Sequence, residues 1–424
     1  MFFQRKRRCD CEKNEEQRIK MSKSRRRLAV AGTILCGDDF EVREGCVVVE
    51  GGKIKEVCES SESGEGRAER EGEVKGEVEG EVEGEVVAKG IVIPAFVNAH
   101  THIGDSVAKE PDFLPLEALV GPGGLKHKIL AKTSYETLVA AMKETVEDIF
   151  ATGTQLFADF REGGLAGVKA LKDALAGGRL RVKIFGRPAG EGKESGEGKE
   201  SGEGKEREED LNRLLEAVDG VGVSSVADCP LGELELLAEA ARERGKMFAL
   251  HAGERNAADI KGALELEPDF LVHLTKAEPQ DFRRMQDRGV AAVVCVRSNL
   301  VTGAGLPPLP QMLEAGLTVG LGTDNVMLNS PNLFSEMEFV SKIFRLDARE
   351  VLKMSTLGSA KVLGEEKFVG SIEAGKRANL VVVRDDTPNM RGVRVRDAVK
   401  GVVRRATRND IAAVIYEGEV VSKI

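Results

Sequence analysis

Short apolar runs alternate with amphipathic stretches between about residues 91 and 364. Eight of the runs are typical of buried strands, namely IVIPAFVNAH, TQLFADF, LRVKIFG, GVGVSSVAD, MFALHAG, DFLVHLT, AAVVCVRSN and LTVGLGTDN. The stretches between them, such as SYETLVAAMKETVEDIFATG and LGELELLAEAARERG, have the apolar periodicity of a helix and end in glycine. Eight strands, mostly separated by helices, predict an α/β fold, a closed (β/α)8 TIM barrel.

The apolar positions before this region form a different pattern. From Leu28 they make shorter β runs, LAVAGTIL and GCVVVEGGKIKEVCE, and Gly51-Gly52 predicts a hairpin turn in a small antiparallel sheet. Two repeats rich in glycine and glutamate, at about 60–85 and about 190–208, contain too few apolar side chains for a core. Both are predicted to be solvated surface loops inserted into the fold.

Residues 1–27 are dense in charge and include the basic runs RKRR and RRR. Such a segment buries little apolar surface, and we predict a disordered basic tail. Met21 lies shortly before the first apolar run, so a translation start at Met21 instead of Met1 is the alternative to a tail of full length.

The composition limits what the protein binds. A chain of 424 residues is long enough for one large barrel and a smaller domain. The net charge is -9 and the folded region has no sustained basic patch, which argues against nucleic-acid binding as the main function. No apolar run is long enough to span a membrane, and the first residues lack the apolar core of a signal peptide. We therefore expect a cytoplasmic protein that binds a small molecule and no membrane.

Histidine is rare, and its positions are the strongest indication of chemistry. Four of the five histidines lie at the ends of predicted strands: His100 and His102 in NAHTH, His251 in ALHAG and His273 in LVHLT. Asp324 ends a further predicted strand. Residues i and i+2 of a strand point to the same face, so His100 and His102 are expected to share one site. Imidazole and carboxylate are ligands of hydrolytic zinc sites, in which the metal lowers the pKa of water from about 15.7 to about 7.

The motifs PAFVNAHTH, HAGE, LVHLT, SNLVTG and GLGTDN occur in the order found in the amidohydrolase superfamily. The chain resembles the cytosine deaminase, adenosine deaminase and chlorohydrolase-like branch of that superfamily over nearly its whole length after the tail. The resemblance implies a barrel at 91–365 and a composite β-sandwich assembled from 28–90 and 366–424. Two residues depart from the family pattern, Ala95 and Asn379, and neither is at a ligand position.

The resemblance also implies a divalent metal, with zinc preferred and iron or manganese also suited to the ligands. The implied ligands are His100, His102, His251 and Asp324. His273 is assigned either to the metal or to the substrate.

One metal is predicted rather than two. Binuclear members of the family have a bridging ligand such as a carboxylated lysine, commonly at the end of strand 4. The fourth predicted strand has no lysine, and Lys183 lies inside the third. Asp228 or Cys229 is the alternative bridging group.

Glu254 follows His251 by three residues, and the small residues between them allow both side chains to enter one pocket. In the deaminases that the chain resembles, this carboxylate faces a ring nitrogen of the substrate. The implied mechanism is that Asp324 takes a proton from the metal-activated water, Glu254 protonates the ring, and ammonia leaves. Glu254 and Asp324 are therefore the predicted catalytic residues.

Charged and polar residues at the ends of two other strands are candidates for substrate binding. After strand 2 they are Asp159, Arg161 and Glu162, for which a salt bridge among themselves is the alternative. At the end of strand 7 they are Arg297, Ser298 and Asn299, for which a structural role in a turn is the alternative. His127 lies in the loop after strand 1 and is expected at the surface, although this loop could fold over the pocket.

The sequence thus predicts a metal-dependent hydrolase of carbon–nitrogen bonds other than peptide bonds, and specifically a deaminase of a purine- or pyrimidine-like heterocyclic amine. The alternatives on the same fold are a cyclic amidase and a formimino- or chloro-hydrolase. An inactive barrel that serves as a binding or scaffold protein is the alternative of a different class. The resemblance to the family implies a homo-oligomer, but the sequence has no apolar surface pattern that identifies an interface.

Overall fold

The computed structural model describes residues 27–59, 85–188 and 201–423. These residues form two compact units. The sheet unit contains residues 27–59, 85–95, 367–402 and 409–423, and the barrel unit contains residues 96–188, 201–366 and 403–408. The predicted tail at 1–27, the predicted insert at 60–85 and the first part of the insert at 190–208 lie outside the described residues, apart from Arg27 and Glu85.

Strands occur in both units. In chain order they are β1 (Arg27–Cys36), β2 (Glu41–Glu50), β3 (Lys53–Glu59), β4 (Glu85–Pro94), β5 (Phe96–His102), β6 (Thr154–Arg161), β7 (Arg181–Gly186), β8 (Gly220–Val223), β9 (Met247–Ala252), β10 (Phe270–His273), β11 (Ala291–Val294), β12 (Val319–Leu321), β13 (Asp324–Asn325), β14 (Leu380–Val383), β15 (Ile411–Tyr416) and β16 (Glu419–Lys423).

Helices connect most of the barrel strands. In chain order they are α1 (Leu116–Leu119), α2 (Leu125–Leu130), α3 (Tyr135–Ala151), α4 (Gly164–Leu175), α5 (Ser201–Ala217), α6 (Leu231–Glu243), α7 (Ala258–Glu265), α8 (Pro279–Arg288), α9 (Val296–Thr302), α10 (Leu309–Glu314), α11 (Leu333–Phe344), α12 (Ala348–Lys353), α13 (Ser359–Val362) and α14 (Ala398–Arg404). A π-helical turn covers Met354–Gly358, and 3₁₀ turns cover Ile103–Val107, Val395–Asp397 and Arg408–Asp410. Within the described ranges, no helix combines the length and apolar character needed to cross a bilayer.

The sheet unit contains a seven-stranded sheet whose strands come from both ends of the described chain. Their order across the sheet is β16-β15-β14-β4-β1-β2-β3. β2 and β3 are antiparallel and are joined at Gly51-Gly52, with φ of 59° and 78°, which confirms the predicted hairpin. A continuous apolar cluster that includes Val30, Ile54 and Ile415 forms the core of this unit.

The barrel unit is TIM-barrel-like. Its parallel sheet has the order β12-β11-β10-β9-β8-β7-β6-β5-β13. Only Gly322 and Thr323 separate β12 from β13, yet β12 pairs with β11 and β13 pairs with β5. Gly322 N donates to Val294 O and Thr323 N donates to His100 O, both at 3.0 Å. This stretch of chain therefore joins the two ends of the sheet, as the eighth strand of a barrel does.

Two predicted strands have different bounds in the structure. The predicted first strand, 91–100, is divided at Ala95, because β4 pairs with β1 and β14 in the sheet unit whereas β5 pairs with β6 in the barrel unit. Most of this stretch is buried, so one unbroken apolar run hides the change of sheet. The predicted seventh strand, 291–299, ends at Val294, and its last residues belong to α9.

The second insert, predicted as a solvated loop to about residue 208, is helical from Ser201, so this part of the prediction is wrong. Glutamate, lysine and arginine, which made the segment look solvated, are also good helix formers. The helix continues into a stretch that packs Leu214 and Leu215 into the core, where they are 2% and 0% exposed. That apolar contact stabilises the helix.

Three phenylalanines fill the barrel interior below the carboxyl ends of the strands. The ring centroid of Phe185 lies 5.1 Å from that of Phe160 and 5.3 Å from that of Phe270. A Cβ atom at Gly222 of β8 would lie 2.5 Å from Phe160, so only glycine fits here. The His100 ring lies 4.4 Å from the Phe160 ring. The phenylalanines therefore form an apolar floor beneath the polar residues at the strand ends.

Candidate active site

Five polar side chains meet at the carboxyl ends of the barrel strands. β5 carries His100 and His102, β9 carries His251, β10 ends at His273 and β13 begins at Asp324. Four of these residues, all except His251, are buried. Residues that are far apart in the sequence come together because the strands are parallel and end at the same edge of the sheet. The structure thus brings together every residue that the sequence proposes for the metal.

Four of these side chains place one nitrogen or oxygen atom each around a common point. His251 Nε2 lies 3.3 Å from both His100 Nε2 and His102 Nε2. Asp324 Oδ1 lies 3.3 Å from His100 Nε2 and 3.6 Å from His102 Nε2. Tetrahedral ligands at zinc bond lengths lie about 3.4 Å apart, so these four distances fit a divalent ion. The ligand atoms within 4.8 Å of one another form two overlapping groups, His100 with His102 and His251, and His100 with His273 and Asp324.

Hydrogen bonds of the outer ring nitrogens orient two of the imidazoles toward that point. His251 Nδ1 lies 2.9 Å from Val223 O, and His102 Nδ1 lies 3.1 Å from Phe160 O. A carbonyl oxygen only accepts, so each Nδ1 carries the proton and each Nε2 presents a lone pair. Two lone pairs 3.3 Å apart repel each other unless a cation lies between them. The donor set therefore fits a metal ion.

Burial keeps these imidazoles neutral, which is the form that binds a metal. It lowers the pKa of His102 to about 3, lowers that of His100, and lowers that of His251 well below its usual range. Burial alone raises the pKa of Asp324, but the hydrogen bond with His100 and the electrostatic contributions of the neighbouring histidines hold it well below its usual range. Asp324 is therefore a carboxylate.

Glu254 lies beside His273 in the pocket wall. Its Oε2 is 3.6 Å from His273 Nε2. Asn299 Nδ2 donates to His273 Nδ1 at 2.9 Å, so with this amide orientation the proton of a neutral His273 is on Nε2 and faces Glu254. Burial raises the pKa of Glu254, and the electrostatic contribution of His273 reverses only part of the rise. A carboxyl group in this environment can hold a proton and release it to a bound molecule.

The charged residues after strand 2 form ion pairs with one another, which is the alternative that the sequence leaves open. Arg161 Nη1 lies 3.4 Å from Asp159 Oδ2, and Arg161 Nη2 lies 2.5 Å from Glu162 Oε2. Asp159 and Arg161 are 0% and 1% exposed, and Asp159 Oδ1 accepts from Ile103 N at 2.7 Å. Neither side chain belongs to the pocket lining.

The three residues predicted at the end of strand 7 lie in the helix α9 and contact other protein groups. Arg297 Nε lies 2.7 Å from Glu336 Oε2. Ser298 Oγ donates to Asp324 Oδ2, and Asn299 contacts His273 as described above. Ser298 and Asn299 thus support Asp324 and His273, whereas Arg297 pairs with Glu336.

The groups considered as bridging ligands for a second metal have other partners. Lys183 Nζ lies 2.8 Å from Glu365 Oε1. Asp228 Oδ1 lies 2.6 Å from Arg255 Nη1, and Cys229 Sγ lies 3.9 Å from Ser224 Oγ. These contacts agree with a site for a single metal.

A pocket of about 610 Å³, part of it open to solvent, is lined by four of the five residues, His102, His251, His273 and Asp324. Lys126, Arg187 and Arg255 in its wall were not predicted from the sequence. His127 also lines the pocket, which is the alternative to a surface position that the sequence leaves open. Arg187 directly follows β7, so its position after a barrel strand is a signal that could have found it. Lys126 and His127 lie in the short helix α2, which has no such signal.

Comparison with known proteins finds matches to hydrolases of one family. The model of the amidohydrolase family matches residues 91–421. A protein of Methanothermobacter thermautotrophicus that is named as an aminohydrolase is 31% identical over 412 residues, covering 92% of this chain and 98% of that protein. A 5-methylthioadenosine/S-adenosylhomocysteine deaminase of Halobacterium salinarum is 26% identical, covering 93% of this chain and 92% of that protein.

Solved structures share the fold. Atrazine chlorohydrolase from Arthrobacter aurescens, solved with zinc, has a TM-score of 0.75 at 19% identity and covers 93% of this chain and 95% of its own. An adenosine deaminase from Xanthomonas campestris, also solved with zinc, has a TM-score of 0.71 at 18% identity and covers 93% of this chain and 92% of its own.

Proposed function

The chain belongs to the amidohydrolase family and is a hydrolytic enzyme that acts on carbon–nitrogen bonds, and on this premise we propose that it is a metal-dependent deaminase of a heterocyclic amine. The proposed substrate is a purine- or pyrimidine-like ring with an exocyclic amino group. The products are the oxo form of the ring and ammonia. The observation that carries the proposal is the position of Glu254 beside His273, at the edge of three converging imidazoles and Asp324.

The proposed metal ligands are His100, His102, His251 and Asp324, whose ligand atoms lie as close as 3.3 Å to one another. Zinc is the proposed metal, and two structural neighbours solved with zinc support this choice. When bound, a divalent metal supplies a Lewis acid that lowers the pKa of water and so provides a nucleophile at neutral pH.

Residues of this chain move the protons. Glu254 gives its proton to the ring nitrogen next to the carbon that bears the amino group, and this carbon becomes more electrophilic. Water adds to the carbon while Asp324 takes its proton. Asp324 then passes the proton to the amino group, ammonia leaves, and the proton of the new hydroxyl returns to Glu254 as the carbonyl forms. Each transfer by a positioned carboxylate accelerates the reaction about 10²–10⁴-fold.

Hydrolysis of a cyclic amide, a formimino group or a chloro substituent is the second candidate, since the same nucleophile attacks each of these. The raised pKa of Glu254 favours deamination, because an amidine-like carbon needs protonation of the ring whereas chloride leaves without a proton. The relatives named as deaminases also support it. An inactive scaffold is disfavoured because all four proposed metal ligands are present and their ligand atoms lie close together.

Ammonia release from the zinc-loaded protein tests the proposal. The panel contains amino-purines, amino-pyrimidines, their nucleosides and amino-pteridines, with Glu254→Gln as the control. Release from at least one compound, absent in the variant, is the expected result. If a protein that holds one metal per chain releases no ammonia from any compound of the panel, deamination is contradicted. Hydrolysis of another carbon–nitrogen bond is then the remaining candidate.

For the sheet unit we propose the composite β-sandwich that the sequence implies. Gly418 N, in the turn between β15 and β16, donates to Ala378 O, and Ala378 N donates to Gly52 O in the turn between β2 and β3. Strands at opposite sides of the sheet order thus approach each other, and Ile54 and Ile415 share one apolar cluster. A curled sheet with a common core is the arrangement expected of a sandwich.

A further inference from the structure

The Glu162 carboxylate lies among charged protein groups although the sequence suggests that it binds substrate. Glu162 directly follows β6, and its side chain is 11% exposed. Oε1 lies 2.9 Å from His102 Nδ1 and 2.5 Å from Lys126 Nζ, while Oε2 lies 2.5 Å from Arg161 Nη2. Three cationic or donor groups thus lie around one carboxylate, although only Oε2 accepts a well-directed hydrogen bond, from Arg161 Nη2.

This contact distinguishes His102 from the other two imidazoles of the site. His251 Nδ1 donates to a backbone carbonyl, and His100 Nδ1 is buried with no hydrogen-bond partner among the described residues. Only His102, of the three, has a carboxylate against its outer nitrogen. Phe160 O already accepts the Nδ1 proton of His102, and a carboxylate beside the same nitrogen further restrains the ring and makes Nε2 a stronger electron-pair donor to a metal.

Lys126 connects Glu162 to the pocket wall. It lies in α2 and is 5% exposed, so its ammonium group is desolvated and depends on the contact with Glu162. The segment that contains α1 and α2 also contributes Leu116, Val120 and His127 to the pocket lining. A buried ion pair therefore joins a wall of the substrate pocket to the carboxylate that holds His102.

We propose that Glu162 is a positioning residue of the metal site, and that Lys126 couples the α1–α2 segment to it. The proposal rests on the proposed function only in taking His102 as a metal ligand. Glu162 directs His102 Nε2 toward the common point of the ligands. Lys126 orients the carboxylate, so displacement of α2 changes the environment of His102.

The first test is zinc affinity in the absence of substrate, measured by competition with a chromophoric chelator. Glu162→Gln keeps the shape of the side chain and removes its charge, so zinc affinity is expected to fall about 10–100-fold. The absorption spectrum of the cobalt-loaded variant is expected to differ from that of the wild type, because the spectrum reports ligand geometry. Glu254→Gln, the same change in the same pocket, is the matched control and should bind zinc as the wild type does. Unchanged zinc affinity in Glu162→Gln overturns the proposal.

The second test concerns the coupling. Lys126→Met keeps the apolar stem and removes the ammonium group, and amide hydrogen exchange over residues 116–130 is expected to become faster. The losses of zinc affinity in Lys126→Met and Glu162→Gln should not add in the double variant, because Lys126 acts through Glu162. Additive losses overturn the coupling.

A measurement on the unmodified protein covers the case in which a variant does not fold. Long-range ¹H–¹⁵N correlation spectra of the ¹⁵N-histidine-labelled protein should show the Nδ1 proton of His102 at lower field than that of His251, whose Nδ1 has only a carbonyl acceptor. A proton on His102 Nε2, or equal shifts for the two Nδ1 protons, overturns the proposal. Failure of the proposed function is distinguishable. Glu162-dependent zinc binding without ammonia release supports the positioning role and refutes the deaminase, whereas a wild type that binds no zinc overturns both.

Discussion

Ser298 Oγ donates a hydrogen bond of 2.5 Å to Asp324 Oδ2. The bond joins α9 to the first residue of β13 and leaves Asp324 Oδ1 directed at His100 Nε2, 3.3 Å away. Asp324 has φ 58° and His273 has φ 78°, left-handed values that are costly for residues other than glycine. The hydrogen bond from Ser298 therefore helps to hold Asp324 in this strained backbone conformation and orients its carboxylate.

Ser298→Ala removes this hydrogen bond. A bond to a charged acceptor contributes about 1.5–3 kcal/mol, so kcat is expected to fall about 10–100-fold if the carboxylate loses its orientation. Steady-state kinetics on the substrate found by the ammonia panel measure the change, with Ser330→Ala, at an exposed position, as the control. A rise in KM at constant kcat would instead support the substrate contact that the sequence predicts for Ser298.

Glu254→Gln is expected to keep the metal and lose turnover. The amide cannot deliver a proton to the ring, and the loss should be about 10²–10⁴-fold. Metal content by mass spectrometry and kcat by ammonia release measure the two effects, with Glu338→Gln on the exposed face of α11 as the matched control. Turnover within about tenfold of the wild type refutes the acid–base role of Glu254.

Arg161→Met is expected to reduce stability. It leaves the carboxylate of Asp159, which is 0% exposed, without its guanidinium partner, and breaking a buried pair in this way costs about 3–5 kcal/mol. Chemical denaturation measures the shift of the unfolding midpoint. A stable variant with a raised KM would show that Arg161 binds substrate after all.

The residues of the metal centre are readable in the sequence because their chemistry coincides with a simple pattern. His100 and His102 are spaced as neighbours on one face of a strand, and His251, His273 and Asp324 each occur where an apolar run ends. In a barrel of parallel strands, this position determines where a side chain goes. The pattern therefore predicts both the fold and the convergence of the five residues.

The residues around the metal centre are harder to predict from the sequence, because their positions depend on contacts between side chains that are distant in the sequence. Arg161 has the same sequence signal whether it faces the pocket or pairs with Asp159, and only the packing decides. The segment VVCVRSNLV is apolar enough for a strand or a helix, so the start of α9 is missed. Lys126 reaches Glu162 from a short irregular segment whose path has no periodic signal.

Glu365 gives a test of stability against pH outside the pocket. Burial raises its pKa, but hydrogen bonds from Lys183 and Arg181 outweigh burial and lower the pKa below its ordinary value of 4.5. A carboxyl group with a lowered pKa in the folded state stabilises the fold above its ordinary pKa, and this contribution is lost as the pH falls through the folded-state value. Glu365→Gln should therefore be less stable than the wild type at pH 7. The difference in urea midpoint between the wild type and Glu365→Gln should be smaller below pH 4.5 than at pH 7. An equal difference at pH 7 and below pH 4.5 would contradict the ion pair.

The central claim is that three imidazoles and Asp324 hold a single metal that supports deamination. The most direct measurement is ammonia release during titration of chelator-stripped protein with zinc, using the substrate identified by the panel. Activity should rise in proportion to zinc and level off at one equivalent per chain, and Glu254→Gln should bind the same equivalent without releasing ammonia. Full activity in the stripped protein, or a rise that continues to two equivalents, would contradict the claim.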